Sequence, residues 1–238
     1  MDSKKVNFPN RYTRQTSLPD FGAERQRLLG ESRILVIGCG ALGSAATMRL
    51  TGAGAGHLIL VDFDTVDISN LQRQIAYTEA DSGLSKARIL AQRVKALNSE
   101  VEVVVIERLA DEKLLREQLP LCDFVVEGSD NPATKYLVSK LCAETDTPVC
   151  VGGIREFEGQ VTTWIPGSAK YSDFFPPADV DSAFLPCGLG GVFGPLPGII
   201  GAIQATEAIK CVTRCGSLLT DRLLRIDCLN WNMSVFTL

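Results

Sequence analysis

Histidine is almost absent from this chain, with His57 as the only one among 238 residues. Histidine is the side chain whose ordinary pKa lies closest to neutral pH, which makes it the commonest general acid and base. His57 begins the apolar run HLILVD, and the start of a parallel strand lies at the edge of a sheet opposite the ligand crevice. The scarcity of histidine therefore weighs against acid–base catalysis by imidazole, and against many dehydrogenases.

Neither an excess of positive charge nor a long apolar run is present. The 24 Lys and Arg residues face 28 Asp and Glu residues, whereas nucleic-acid-binding proteins normally carry a basic face. The most apolar helix candidate, LPGIIGAIQATEAIK, is interrupted by Gln204, Glu207 and Lys210, which is typical of a core helix and not of a membrane span. We expect a cytoplasmic protein, because the eight cysteines show no paired spacing and the first residues show no signal-peptide pattern.

Short apolar runs alternate with stretches of helical spacing. Runs rich in Val and Ile occur at residues 33–38, 57–62, 101–106, 122–128 and 147–153. Such runs are typical of parallel strands that are buried on both faces. The stretches between them, such as LSKARILAQRVKALN, carry apolar residues at the period of an amphipathic helix. The alternation predicts an α/β fold with a doubly wound, mainly parallel Rossmann-like sheet.

The pattern changes after residue 160. The run QVTTWI is typical of a strand, and a long stretch rich in Pro, Gly and Asp follows from Pro166 to Gly191. A helix is predicted from Leu196 to Cys211, and two terminal strands are predicted in RLLRID and MSVFTL. We expect these last strands to extend the sheet in antiparallel orientation. Because no repeat and no second domain is evident, residues 1–238 are predicted to form a single domain.

A glycine-rich turn, Gly38-Cys-Gly40-Ala-Leu-Gly43, follows the first predicted strand. The first glycine permits the tight turn, the second lets backbone approach a phosphate, and the third lets the helix pack closely on the strand. Backbone N–H groups at the start of the next helix attract phosphate. Asp62 ends the following strand, where a carboxylate usually bonds ribose hydroxyls. The pattern predicts an adenine-nucleotide site and leaves open which nucleotide it holds.

The residues after Asp62 favour a triphosphate. Asp64, Asn70 and Arg73 follow in FDTVDISNLQRQ, and Lys86 lies in the first turn of a predicted helix. The diphosphate of NAD is already held by a glycine turn, whereas a triphosphate needs further cations as a bond to its α-phosphate breaks. Arg73 can supply planar, multidentate donation, and Lys86 opposes the helix dipole by ~0.3–1 kcal/mol unless an anion lies nearby. Taken alone, Asp64 could belong to a solvated turn.

Asp130 follows the fourth predicted strand, in GSDNPATK. One interpretation is a helix N-cap, with Pro132 in the first turn. The other is a Mg²⁺ ligand, because the carboxyl ends of strands line the ligand crevice and a carboxylate there could hold Mg²⁺ against phosphate oxygens; we expect both roles. A substrate α-carboxyl group is already ionised at neutral pH. A site of cations and one metal-binding carboxylate, with no general base, therefore favours adenylation of a carboxylate.

Taken together, the motifs RYTRQ, GCGALG, DFDTVDISNLQRQ, GSDN and GVFGPLPGIIGAIQATEAIK resemble the ThiF/MoeB/HesA family, the bacterial relatives of ubiquitin-activating enzymes. The resemblance covers nearly the whole chain. It implies Mg²⁺- and ATP-dependent adenylation of the C-terminal Gly-Gly carboxylate of a small ubiquitin-fold sulfur carrier. The carrier would be ThiS-like or MoaD-like, in thiamine or molybdopterin synthesis.

The same resemblance implies roles for individual residues. Asp62 matches the family's ribose ligand, and Asp130 matches its Mg²⁺ ligand. The residues that match its phosphate ligands are Asn70, Arg73 and Lys86. Arg14 would reach the triphosphate bound by the opposite subunit of a homodimer. On the residues alone, Arg14 could equally be a surface charge.

Cys187, in FLPCGLGGVFGP, matches a family cysteine that in some members attacks the acyl adenylate or links covalently to the carrier. A thiol in a glycine-rich loop can reach a substrate, but Cys187 could equally be a spectator. Two rival functions also stay open. One is an NAD-dependent oxidoreductase, supported by the glycine turn and Asp62 alone, and the other is a non-catalytic scaffold for a ubiquitin-like partner.

The family commonly binds structural zinc through two Cys-x-x-Cys pairs, and both pairs are missing here, where the sequence reads KYSDFFPPADVD and SVFTL. A closed tetrahedral zinc site needs four such ligands, so we expect none. The residues expected to fill the gap by packing are Tyr171, Phe174, Phe175, Pro176 and Pro177. Elemental analysis of the purified protein should find no stoichiometric zinc, whereas about one zinc per chain would contradict this expectation.

Overall fold

The central strands are apolar on both faces because helices cover both faces of the sheet. The computed structural model describes residues 11–176 and 191–238. Within these ranges the strands are β1 Arg33–Ile37, β2 His57–Val61, β3 Glu102–Ile106, β4 Phe124–Glu127, β5 Val149–Arg155, β6 Glu158–Trp164, β7 Arg222–Asp227 and β8 Asn232–Thr237.

The strands form one sheet in the order β3-β2-β1-β4-β5-β6-β7-β8. From β3 to β5 the pairings are parallel, and from β5 to β8 they are antiparallel. This arrangement confirms the predicted doubly wound, mainly parallel sheet with an antiparallel extension. The chain order reverses between β1 and β4, which is the switch point where open α/β sheets bind ligands.

Helices of the described residues separate or flank these strands. They are α1 Thr13–Thr16, α2 Gly22–Glu31, α3 Ala41–Ala53, α4 Lys86–Leu97, α5 Glu112–Gln118, α6 Pro132–Glu144, α7 Tyr171–Phe174 and α8 Leu196–Thr213. In this part of the chain, no helix is both long and apolar enough to span a membrane.

An apolar core lies on each face of the sheet. Because successive side chains of a strand point to opposite faces, β1 sends Ile34 and Val36 into one core and Leu35 and Ile37 into the other. Helices α2, α3, α4 and α8 contribute to the first core, and α5, α6 and α7 contribute to the second. The crossover helices therefore hold the strands so that their carboxyl ends meet at one edge.

Some elements differ from the sequence-based expectation. Helix α2 buries only Leu29, and α1 buries no side chain, so neither has the apolar periodicity that predicts a helix. The predicted loop from Pro166 to Gly191 contains the short helix α7. The later part of this loop, residues 177–190, lies outside the described residues. It includes Pro177, whose packing role stays a prediction.

Aromatic side chains pack together in the region that lacks the first Cys-x-x-Cys pair. Tyr171 is buried, and its ring centroid lies 5.2 Å from that of Tyr136 and 4.9 Å from that of Phe175. The Tyr136 hydroxyl donates to the Phe175 carbonyl, while Phe174 is half-buried. The packing expected of Tyr171 and Phe175 is present and joins α7 to α6.

The third glycine of the turn is required by close contact. A Cβ at Gly43 would stand 1.7 Å from the Gly38 carbonyl oxygen and 3.2 Å from the Val36 side chain. No side chain fits at that distance, so only glycine lets α3 start so close to β1. This contact confirms the packing role predicted for Gly43.

Gly43→Ala should lower the free energy of unfolding by about 3 kcal/mol, because overpacking against backbone cannot be relieved by a rotamer change. Gly52, in the same helix, is a matched control, since a Cβ there meets nothing within 4 Å. Gly52→Ala should raise the free energy of unfolding by roughly 0.5–1 kcal/mol. Urea unfolding of both variants tests the pair, and equal effects would contradict the packing role of Gly43.

Candidate functional site

A cavity of ≈ 280 Å³ opens where the chain leaves the carboxyl ends of β1, β2 and β4. The predicted site residues in its wall are Gly38, Gly40, Asp62, Asp64, Arg73, Lys86 and Asp130. Motifs separated by more than ninety residues in the sequence thus meet at the switch point of the sheet, as parallel topology requires.

The glycine turn is tied to Asp62. Gly38 adopts a φ of +82°, which favours glycine because it has no Cβ. The Asp62 carboxylate accepts the Cys39 N–H at 2.6 Å and the Asp64 N–H at 2.8 Å. Burial raises the pKa of Asp62, and these two N–H donors oppose that rise. The carboxylate predicted to hold ribose is therefore fixed by backbone against the turn predicted to hold phosphate.

Lys86 is buried, with 5% of its surface exposed, although its place in a first helical turn is common for exposed lysines. Its ammonium forms an ion pair with Asp64, and its backbone N–H donates to the Asp64 carbonyl at 3.0 Å. A buried ammonium must be paired because desolvation disfavours its charge. Asp64 is thus the nearby anion that offsets the unfavourable helix dipole, and it is more than part of a solvated turn.

Arg73 reaches the cavity while Asn70 does not line it. Arg73 Nη1 donates to the Ser69 carbonyl at 3.0 Å, which directs the guanidinium along the short turn before it. Asn70 Oδ1 accepts the Asp67 N–H at 3.3 Å, and Asp67 Oδ1 accepts the Ser69 N–H at 2.8 Å. Hydrogen bonds from the Ser69 hydroxyl and from the Ser69 N–H lower the pKa of Asp67. In this structure Asn70 stabilises the turn that presents Arg73, and its phosphate contact stays a prediction.

Asp130 is not the N-cap of α6, so that part of the prediction is wrong. Asn131 is the cap, because its Oδ1 accepts the Ala133 N–H at 2.9 Å. The Asp130 carboxylate is exposed at the cavity wall, and it accepts no hydrogen bond from the residues that the structure describes. A carboxylate without a partner at a cationic cavity is suited to Mg²⁺, which uses one or two carboxylates together with phosphate and water. Asp130 could hold that ion.

Arg14 lies at the far end of the fold. Its neighbours Arg11 and Gln15 donate to the carbonyls of Leu97 and Ala53, at 2.9 Å and 3.1 Å. These carbonyls end α4 and α3, whose first residues border the cavity. Helix α3 has 13 residues, a length of about 20 Å. The structure therefore does not bring Arg14 to the cavity of its own chain.

The described cysteines do not supply a nucleophile at the site. Cys39 belongs to the glycine turn but is fully buried, and burial raises the pKa of its thiol well above the ordinary value. Burial also raises the pKa of Cys122 to about 12 and that of Cys211 to about 11. Because the thiolate is the reactive form, these side chains are inert, as expected for core residues. Cys187 lies outside the described residues.

Two charged residues of the site are not predicted from the motifs. Glu127 is fully buried at the end of β4, and Lys135 is buried in α6 and lines the cavity. Their Oε2 and Nζ atoms lie 2.5 Å apart. A signal exists in the sequence, because an acidic residue that ends the otherwise apolar run FVVE needs a partner. Its partner, eight residues later, is not readable from helical or strand spacing.

Comparison with known proteins reveals close relatives. The chain is 39% identical over 221 residues to the SAMP-activating enzyme E1 of Haloferax volcanii, covering 93% of this chain and 82% of that protein. It is 40% identical over 225 residues to the adenylyltransferase and sulfurtransferase MOCS3 of Dictyostelium discoideum, covering 94% of this chain and 53% of that protein. The chain thus spans about half the length of the MOCS3 proteins it matches.

Solved structures share the fold. Escherichia coli MccB, crystallised with ATP, superposes with a TM-score of 0.82 at 24% identity, over 96% of this chain and 71% of that one. MccB in complex with N-formylated MccA gives a TM-score of 0.84 at 24% identity, over 96% and 72%. Residues 12–238 match the ThiF family. With this match over nearly all of its length, the chain belongs to the ThiF family.

Proposed function

We propose that this chain uses ATP to adenylate the C-terminal glycine carboxylate of a small ubiquitin-fold sulfur carrier, with release of pyrophosphate. The observation that carries the proposal is the charge of one cavity. Arg73 and Lys86 lie in the same wall as the glycine turn and Asp62, where a triphosphate would extend from the ribose. Residues 1–238 would act as one adenylation domain in the cytoplasm.

The cations suit a triphosphate better than a dinucleotide. A lysine is costly to bury, and a lysine held by one exposed aspartate at the wall of a cavity is suited to a second anionic partner. Negative charge grows on the departing pyrophosphate during transfer at the α-phosphate, and cations fixed there stabilise it without reorganisation. Asp64 would hold Lys86 in place until the triphosphate arrives.

The reaction fits a site without a general base. His57 pairs with Glu102 across the starts of β2 and β3, with Nδ1 3.0 Å from Oε2, and it does not line the cavity. The substrate carboxylate needs no deprotonation, since its ordinary pKa of about 3.5 lies far below neutral pH. The remaining task is to place the carboxylate in line with the α-phosphate. A Gly-Gly tail can do this because it has no side chains and is thin enough to enter a narrow site.

Mg²⁺ fits the same cavity. Asp130 would hold it against the triphosphate oxygens, and the ion would supply neutralisation of the phosphate charge. Among residues 11–176 and 191–238, no three His, Cys, Asp or Glu side chains gather to hold a metal ion by themselves. The nucleotide would therefore bring most of the ligands.

A homodimer would complete the site. Arg14 is exposed at the end of the fold away from its own cavity, so it can act on a triphosphate only from a second copy. The relatives named above act, by their names, on SAMP proteins or in sulfur transfer. By extension we assign this chain a ThiS-like or MoaD-like carrier, with a preference for the thiamine branch, where the Cys187 position is used.

The proposal is tested by ATP–pyrophosphate exchange with purified ThiS-like and MoaD-like carriers. Arg73→Ala should lower kcat/KM about 100- to 1000-fold, and Asp130→Ala should abolish exchange, because each removes fixed charge at the phosphates. Arg88→Ala is the matched control. Arg88 pairs with Glu107 on the surface close to Lys86, and its loss should change exchange by less than about twofold.

Undiminished exchange in Arg73→Ala would contradict the proposed binding of the ATP phosphates by Arg73. Carrier binding by the wild-type protein without any exchange would favour the scaffold. Enhanced NADH fluorescence without exchange would favour the oxidoreductase.

A further inference from the structure

Beneath Asp130 lies a buried ion pair that none of the roles above uses. Glu127 is 0% exposed, and the Lys135 side chain is 7% exposed. Lys135 Nζ donates to Glu127 Oε2 at 2.5 Å and to the Gly152 carbonyl at 2.7 Å. The Glu127 carbonyl accepts Gln204 Nε2 at 2.7 Å. Together these contacts join β4 to α6, β5 and α8 directly below the cavity.

The second oxygen of Glu127 faces the turn that carries Asp130. Glu127 Oε1 accepts the Ser129 N–H at 3.0 Å and also accepts the Ser129 hydroxyl. On the other side of Asp130, Asn131 is fixed as the cap of α6. Asp130, whose side chain makes no hydrogen bond with residues 11–176 or 191–238, therefore lies between two residues that hydrogen bonds hold in place.

Stability alone does not explain a buried pair at this place. The desolvation of two charges offsets most of their attraction, and apolar replacements of similar volume are often as stable. Glu207 offers a comparison in the same fold. It is 2% exposed and bonds Lys210, Thr163 and the Leu219 N–H, yet none of these residues lines the cavity.

We propose that Glu127 and Lys135 are positioning residues, which fix the turn from Ser129 to Asn131 so that the Asp130 carboxylate faces the metal position. Lys135 holds one oxygen of Glu127, and the other oxygen is thereby presented to Ser129. This inference rests on the proposed role of Asp130 toward Mg²⁺. Supports of this kind around a metal ligand typically contribute 10- to 100-fold in metal affinity.

Calorimetry with α,β-methylene ATP gives a readout that does not depend on turnover, because its P–CH₂–P bridge is not cleaved and the analogue cannot transfer its adenylyl group. For each variant, the Kd of the analogue is measured in EDTA and in Mg²⁺, and the first value is divided by the second to give a ratio. Glu127→Gln should lower this ratio about tenfold. Lys135 and the Ser129 N–H donate to different oxygens of Glu127. In glutamine one of these oxygens becomes an NH₂ group, which donates and does not accept, so one of the two donors loses its acceptor.

A second variant separates positioning from stability. The double change Glu127→Leu with Lys135→Met replaces the pair by apolar side chains of similar size, so it should unfold near the wild-type urea midpoint. Its ratio should still fall about tenfold, because Ser129 loses its acceptor. Glu207→Gln is the control, and it should lower the urea midpoint while it leaves the ratio at the wild-type value.

The outcomes separate two failures. If Asp130→Ala abolishes the wild-type effect of Mg²⁺ but both Glu127 variants keep a ratio within about twofold of the wild type, the positioning role is wrong and the proposed function stands. If Mg²⁺ has no effect on nucleotide affinity in the wild type, the metal role of Asp130 and the inference fall together. A ratio that falls equally in Glu207→Gln would also overturn the positioning role.

Discussion

In the proposed function, the site depends on the attraction between a polyanion and the cations Arg73 and Lys86, which line the cavity at the carboxyl edge of the sheet. Lys86 carries its charge while almost fully buried, which is possible because Asp64 pairs with it. Arg73 is presented by a turn whose capping contacts are made by Asp67 and Asn70. The electrostatic attraction between two charges is stronger in a low-dielectric cavity than in water. A few side chains could therefore hold a triphosphate that water would otherwise solvate.

Fold and chemistry are joined through the topology of the sheet. Parallel strands place all their carboxyl ends at one edge, so residues that are distant in the sequence converge there without any dedicated binding domain. The contact of Gly43 with Gly38 brings the start of α3 onto β1, and Asp62 holds the same turn from the neighbouring strand. The glycine turn is thus tied both to β1 and to the end of β2.

Local patterns predict most of this molecule, and nonlocal pairs account for what they miss. Strand positions and the glycine turn follow from apolar runs and from steric limits on φ, which act within a few residues. The burial of Lys86 could not be predicted, because it depends on Asp64, 22 residues earlier. The pair of Glu127 and Lys135 could not be predicted from periodicity for the same reason. Asn131, and not Asp130, is the N-cap because Asn131 immediately precedes Pro132, the first residue of α6.

The proposed binding of a triphosphate by Arg73 and Lys86 is tested most directly by calorimetric titration of the wild-type chain with AMP, ADP and ATP at a fixed concentration of Mg²⁺. Each additional phosphate should meet Arg73 or Lys86, and a charged hydrogen bond contributes about 1.5–3 kcal/mol. ATP should therefore bind at least about tenfold more tightly than AMP. Equal affinities for AMP and ATP would show that these cations do not contact the phosphates, and would contradict the proposed chemistry.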